Sequence, residues 1–370
     1  MATTQTTSRT RDILGASALR PDGVAKVTGE FSFSSDMRAE NMLWGATLRS
    51  PHPYARIKSI DTTKALLIPG VHAVITSEDV PGKLTYGLIS SDQPVFAKDV
   101  VRYMGEPIAA VAADHPETCR RALSLITVVY EVLTPLTEPE DAIAGSFDPI
   151  HPDGNVIRHQ RIIRGDQTIT GAVVVEGEYV IGMQDQAFLG LEAALAIPDP
   201  DGLGLHLHVA TQWLHEDLTQ ISACLNLPAD KIRLTLGGVG GAFGAREDIS
   251  LQVHCCLLAL KAGRPIKMQY SREESFFGHV HRHPATIFMR HHADAEGKII
   301  KIDARFVFDG GAYTSTSPAV LINGITHTQG PYKCDNATVD GYAVRTNNPP
   351  CGAMRGFGVV QACFAHESQM

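Results

Sequence analysis

Cysteine is scarce in this chain: seven residues among 370, an odd number, with no Cys-x-x-Cys pair. That argues against a disulfide framework and against a Cys-ligated iron–sulfur cluster within the chain. Most of Cys119, Cys224, Cys255, Cys256, Cys334, Cys351 and Cys363 sit in apolar runs, as inert thiols of a reducing, cytoplasmic setting do. Positive charge is also short. Lys and Arg number 32 against 40 Asp and Glu, a net charge of -8, which argues against nucleic acid as a main partner. No apolar run approaches the roughly 20 residues of a membrane span. The first residues are rich in Thr and Ser and lack an apolar core segment, so residues 1–18 read as a flexible tail and not as a secretory signal. Neither Gly-x-Ser-x-Gly nor His-Glu-x-x-His occurs, which removes the hydrolase elbow and the zinc protease.

What is present is core-forming: 44% of residues are hydrophobic and 19% charged, enough for two or more domains at this length. Residues 19–134 read as a compact α/β unit. Strands are expected at Met42–Leu48, Arg56–Ile60, Val71–Thr76, Pro107–Ala112 and Thr127–Val132, with helices at Thr62–Leu67 and Pro116–Ile126. A Pro- and acid-rich stretch follows from Leu133, so residues 135–165 are expected to be a linker. In residues 166–370 strands, among them Ile232–Leu236 and Ala337–Val344, mix with helices without strict βαβ alternation, which places the class as α+β. The run Gln361–Met370 reads as a helix without a cap, an element of a longer protein or one that a partner chain completes.

Five glycines crowd into Gly237-Gly238-Val239-Gly240-Gly241-Ala242-Phe243-Gly244, ahead of Arg246-Glu247 and an apolar run over Asp248–Lys261. Such a loop lets the backbone approach something closely, and its N–H groups are expected at the N-terminus of the following helix. It matches neither the dinucleotide fingerprint, since Phe243 stands where the third glycine would be, nor a P-loop, since no Gly-Lys-Ser/Thr follows. Glu247 is expected where loop becomes helix, either as a first-turn acid or as a group turned into a site. A second irregular loop, Asn347 to Gly358, carries Arg355 between Met354 and Gly356-Phe357-Gly358. Arg355 either pairs with a structural carboxylate or anchors an electron-rich oxygen. The segments Gln184 to Glu192 and Ala210-Thr211-Gln212-Trp213 place amides beside apolar residues. His279, His281 and His283 alternate, yet no acid or thiol stands at ligand spacing beside them, so no metal-ligating set is assigned.

In their joint order these motifs resemble the molybdenum hydroxylase (xanthine oxidase) family, and within it the molybdenum-binding subunits of the bacterial xanthine dehydrogenase branch. The likeness runs from Leu19-Arg20-Pro21-Asp22-Gly23 through Arg49 to Ile57, Gly105-Glu106-Pro107, Gln184 to Glu192, Gly240 to Glu247 and His281-Arg282-His283-Pro284 to Arg355-Gly356-Phe357-Gly358 with Gln361. The resemblance implies an α/β hammerhead-like domain followed by the first part of a molybdopterin-binding domain. It implies hydroxylation of xanthine or hypoxanthine with oxygen from water at a Mo–OH/Mo=S centre of a molybdenum cofactor in dinucleotide form. Gln212, Gly241, Phe243, Gly244 and Arg355 then match cofactor-binding positions, and Glu247 with Arg355 the pair that holds a purine. An iron–sulfur subunit, an FAD subunit and a second chain completing the molybdenum domain are the implied partners. The family's general base lies in a later half, so this chain is expected to be inactive alone. A hydroxylase for aldehydes or other N-heterocycles, or a non-catalytic truncated scaffold, stays open. Carbon monoxide oxidation is disfavoured, since that branch carries Cys where Gly356 stands.

Overall fold

The computed structural model describes Gly15 and residues 17–370, so most of the tail expected over 1–18 lies outside the described residues. Described residues up to Ser32 form one compact unit, whose helix Gly23–Thr28 ends on Gly29 with φ 78°; Phe33–Met370 forms a second.

The second unit is built on two large sheets. The first runs in the order Ile232–Leu236, Leu205–Val209, Ala193–Pro198, Ile266–Gln269, Leu43–Arg49, Pro107–Ala113, Val71–Ile75. Strands from both regions of the sequence are therefore neighbours, with Leu43 paired in parallel with Ile266 and Gly45 with Met268. The regions expected as separate domains share one sheet.

Pro107–Ala113 explains its uninterrupted apolar run: every residue is buried. Ala110 and Ala112 face the core around the helix Gln252–Ala262, while Ala109 and Val111 face the core under Pro116–Leu123. Both faces are covered, so the alternation of a one-sided strand has no reason to exist. At Gly45 a Cβ would meet Met268 Cγ at 2.6 Å, so the strand crossing requires glycine there.

The second sheet runs Val173–Ile181, Ala285–Ala293, Ile299–Asp309, Ala337–Val344, Val156–Arg164, with the helices Ser317–Thr326 and Val359–Gln369 on its core. Here the expected linker over 135–165 is corrected. It holds the helix Pro139–Ala144 and the edge strand Val156–Arg164. Pro139 sits at the first helical position, where proline starts a helix instead of breaking it. In the strand, the exposed Arg158, Arg161 and Arg164 break up the apolar pattern, while Ile157 and Ile162 reach the core.

A buried polar seam joins residues of the two regions. Arg49 donates from Nε to Glu274 Oε1 at 2.9 Å and from Nη1 to Gly105 O at 3.0 Å, and its guanidinium lies 4.9 Å from the Tyr270 ring centroid. Tyr313 donates to Glu106, whose carboxyl burial pushes up to about 7. Arg345 ties Asp153 Oδ1 at 2.9 Å, Thr314 Oγ1 at 2.9 Å and Asp92 Oδ2 at 3.4 Å.

Removing one partner of a buried pair leaves the other charge dry and unpaired. Arg49→Met is expected to lower unfolding stability by about 3 kcal/mol, read by denaturant titration, because Glu274 loses its partner. Arg49→Lys should recover only part of that, since an ammonium cannot reach both acceptors in fork geometry. Full stability in Arg49→Met would remove the seam from the account of the fold.

Candidate active site

The strands Leu205–Val209 and Ile232–Leu236 are parallel, with Val209 opposite Leu236, and the loops leaving their carboxyl ends lie side by side. The first enters the helix Leu214–Leu225 through Gln212 and Trp213; the second is the glycine loop. In the other sheet Ile299–Asp309 and Ala337–Val344 are parallel too, with Asp309 opposite Val344, and they lead to Thr316 and to the Arg355 loop. Carboxyl ends of neighbouring parallel strands are where open sheets bind ligands. Here two such ends meet.

Between them lies a cleft of about 960 Å³ with Gln212, Trp213, Glu216, Phe243, Gly244, Glu247, Met354, Arg355 and Phe357 on its walls and Leu88 and Ile89 from a distant turn at its rim. That size is within the range of small-molecule and cofactor sites. Five of the six residues expected at the site line it. Gly241 does not: it packs behind, where a Cβ would meet Phe188 Cβ at 2.8 Å.

The glycines approach other backbone. A Cβ on Gly240 would meet Gly190 Cα at 2.7 Å, and one on Gly244 would meet Ala353 O at 2.5 Å. Close approach is thus used to fuse three loops. The expected helix N-terminus is corrected as well. The helix spans Gln252–Ala262, and Glu247 sits in a turn ahead of it, its amide donating to Gly244 O at 3.1 Å.

Two buried guanidiniums hold the loops together. Arg246 donates to Gly241 O at 3.0 Å, to Ala210 O at 3.3 Å and to Gly190 O, and stacks 4.4 Å over the Phe188 ring. Arg282 donates to Gln184 Oε1 at 2.8 Å and to Arg355 O at 2.9 Å. Gln186 adds a bond to Ala353 O at 2.9 Å, and the Arg355 amide donates to Phe243 O at 2.8 Å. Ala187, Phe243, Ser315 and Phe357 all have φ between 39° and 53°, a conformation rare outside glycine that concentrates in loops at functional sites.

Gln212 is oriented by the glycine loop. Its Oε1 accepts the Gly244 amide at 3.0 Å, which leaves the amide N–H2 for the cleft. Burial raises the Glu247 carboxyl above its ordinary value. Next to it Asp248 is buried, accepts from Ser315 Oγ at 3.0 Å and is pushed up to about 7 by burial. Asp217, also desolvated, stands at about 6.

Reasoning from the sequence missed Glu216 and the apolar walls. Glu216 lies one helical turn beyond Gln212, a spacing that puts both near one helix end. Leu88 and Ile89 have no local signal. Of the three alternating histidines, His279 and His281 stack at 5.3 Å, whereas His283 turns to Ser317 Oγ at 2.8 Å.

Residues 150–370 match the model of the molybdopterin cofactor-binding domain, and residues 28–134 that of the aldehyde oxidase and xanthine dehydrogenase a/b hammerhead domain. A probable xanthine dehydrogenase subunit of Bacillus subtilis is 38% identical over 357 residues, covering 96% of this chain and 48% of the relative. The nicotinate dehydrogenase large molybdopterin subunit of Eubacterium barkeri is 37% identical over 361 residues, covering 97% of this chain and 85% of the relative. Quinoline 2-oxidoreductase from Pseudomonas putida 86 superposes with a TM-score of 0.89 at 30% identity, over 96% of this chain and 47% of that one. Aldehyde oxidoreductase from Desulfovibrio gigas does so with a TM-score of 0.89 at 28% identity, over 94% and 40%. The chain thus spans about half the length of the Bacillus relative and most of the Eubacterium subunit.

Asp248 gives a pH prediction. Its folded pKa is raised, so its contribution is present below the ordinary carboxyl range and is lost as pH rises through about 7. Asp248→Asn has no charge to bury. The melting temperature of the variant should therefore gain on that of wild type between about pH 5 and about pH 8. A gap that stays constant or narrows over that range would refute the buried-carboxyl assignment.

Proposed function

The chain belongs to the molybdenum hydroxylase family of aldehyde oxidases and xanthine dehydrogenases, with a hammerhead domain followed by a molybdopterin-binding domain, and from that premise we propose that it forms the first part of a purine hydroxylase, acting on xanthine or hypoxanthine. The observation that carries this reading is the lining of the cleft. One guanidinium, Arg355, and two carboxyls, Glu247 and Glu216, stand among the aromatic walls Trp213, Phe243 and Phe357.

The residues fit the family's cofactor. Gln212 has its amide direction set by the Gly244 bond, so it offers N–H to an oxygen in the cleft. Gly244 and Phe243 bring the glycine loop to the same wall. When bound, the molybdenum cofactor supplies the two-electron oxidation, with water as the oxygen source. The chain's own residues bind and orient. The aromatic walls take a flat ring and exclude water. Burial raises the Glu247 carboxyl above its ordinary value, and its oxygens can accept from a ring N–H. Arg355 offers a fixed fork to a ring oxygen and stabilises charge that builds there. Gly241 supports the loop from behind.

A second reading has one observation behind it: the subunit of which this chain covers 85% is named for nicotinate. A pyridine carboxylate suits Arg355 but brings no N–H to Glu247 and Glu216. A lactam heterocycle uses all three, which favours the purine. Electrons must then leave through partners, so an iron–sulfur subunit, an FAD subunit and a chain completing the molybdenum domain are part of the proposal, in a cytoplasmic setting. Among the described residues, no helix is long and apolar enough to cross a membrane.

The test uses the chain co-produced with its completing segment and redox subunits in a host that makes the cofactor. Glu247→Ala and Arg355→Met should each lower xanthine kcat/KM by about 100-fold, about 2.7 kcal/mol of transition-state stabilisation. Molybdenum content should not change. Wild-type turnover of nicotinate but not xanthine would establish the second reading. Unchanged xanthine kcat/KM in both variants would remove the orienting roles.

A further inference from the structure

Behind the cleft, two segments far apart in sequence bring Asp185, Glu192, His279 and His281 together. Asp185 Oδ2 lies 3.1 Å from His279 Nε2 and 3.4 Å from His281 Nε2, and one ligand atom from each of these three residues lies within 4.8 Å of the others. Four nitrogen or oxygen ligands placed tetrahedrally at about 2.0–2.2 Å from an ion stand about 3.3–3.6 Å from one another. The observed separations are close to that spacing.

Three further observations point to an ion. First, the groups are dry: the side chains of His279 and His281 are 2% and 4% exposed. Second, neither Asp185 Oδ2 nor His279 Nε2 has a hydrogen-bond partner, although they face each other at 3.1 Å. The contact is close but does not have hydrogen-bond geometry, which leaves both atoms available to an ion. Third, Glu192 Oε1 lies 2.6 Å from Nδ1 of the same His279 ring. A carboxylate near the far nitrogen is the usual outer partner of a metal-bound imidazole, and Glu192 stands close enough to Nδ1 to take that role. With neutral imidazoles the four groups carry a formal charge of −2 in a buried place. The guanidinium whose charge reaches Glu192, that of Arg246, is committed to three carbonyls.

We propose that Asp185, His279 and His281 bind one structural zinc ion, with Glu192 as the outer partner of His279. Two imidazoles and a carboxylate suit zinc better than the all-oxygen preference of magnesium or calcium. Phe276 O lies 2.7 Å from His281 Nε2 and accepts that ring's proton in the absence of an ion, so a water completes the tetrahedron when the ion is bound. The ion would staple the segment Gln184 to Glu192 to the segment His279 to His283. Those segments also carry Gln186 and Arg282, which hold Ala353 O and Arg355 O. The site is thus placed to stiffen the loop that carries Arg355, and it does not depend on which ring the cleft accepts.

The test is made on the complete enzyme. Elemental analysis should find one tightly held zinc per chain besides molybdenum. Asp185→Asn and His279→Gln should lose it at unchanged molybdenum content, and Glu192→Gln should weaken zinc affinity by about 10–100-fold. Because a ligand variant can misfold, wild type carries a second arm. After chelation, cobalt(II) should give the strong visible absorption of a tetrahedral site, and zinc should bleach it. Sub-stoichiometric zinc together with no cobalt spectrum would overturn the proposal and identify the cluster as a His279 imidazolium held between two carboxylates.

Discussion

Two guanidiniums, those of Arg246 and Arg282, hold the site in shape. Each is almost completely enclosed, and each gives its hydrogen bonds to loop oxygens instead of carboxylates. Arg246 joins the glycine loop to the strand end at Ala210 and to Gly190; Arg282 joins Gln184 to the Arg355 loop. Buried backbone carbonyls in irregular loops must find donors. A planar fork with five N–H groups satisfies several of them from one residue. The glycines then make sense as the other half of this device. Loops can converge on a single guanidinium only if their backbones touch, and a Cβ at Gly190, Gly240 or Gly244 would push them apart.

The same logic extends outward to the seam. Arg49, Glu106 and Arg345 lie between strands of the first region and loops of the second, so the cleft is framed by a single body in which sheet and seam share the load. A sheet whose central neighbours come from both regions cannot open like two domains on a hinge. Rigid walls on strand ends keep the cleft's polar groups in place before any ligand arrives, which is what electrostatic preorganisation needs.

How much of this was legible in the sequence follows from where each signal lives. Strands with local character stood out: Ile232–Leu236 and Ala337–Val344 are found at their expected bounds, because alternation or a short apolar run is a property of consecutive residues. The edge strand Val156–Arg164 did not stand out, since its solvent face is arginine-rich and its core face has few large residues. The apolar run over Asp248–Lys261 does hold a helix, Gln252–Ala262, but the helix starts later than the run, because Ile249 and Leu251 are buried in a turn ahead of it. Among the candidate site residues, Gln212, Phe243, Gly244, Glu247 and Arg355 came from motifs, and the cleft collects them. Leu88 and Ile89 reach it only by tertiary folding. Asp185 meets His279 across a long stretch of intervening chain, which no spacing rule detects.

The distribution of charge around the cleft carries the argument one step further. Acids gather on the elements that follow Val209 and Leu236: Glu216 and Glu247 on the wall, with Asp217 and Asp248 buried next to them and their carboxyls pushed up by burial to about 6 and about 7. Cations gather on the other sheet's loop, with Arg355 at the wall and Arg282 behind it, the latter not neutralised by any acid it bonds to. Inside a site with apolar walls such a separation acts at low dielectric and is felt strongly. A ligand with donors toward the acids and an acceptor toward Arg355 lowers its energy by lying along that field, and one with the reverse pattern does not. The left-handed backbone at Ala187, Phe243 and Phe357 costs about 1–3 kcal/mol per residue, and the guanidinium clamps hold it in place. The strain and the clamps are therefore two sides of one constraint: the charges stay fixed only while the loops are held, because a loop free to relax would turn its dipoles away from the cleft.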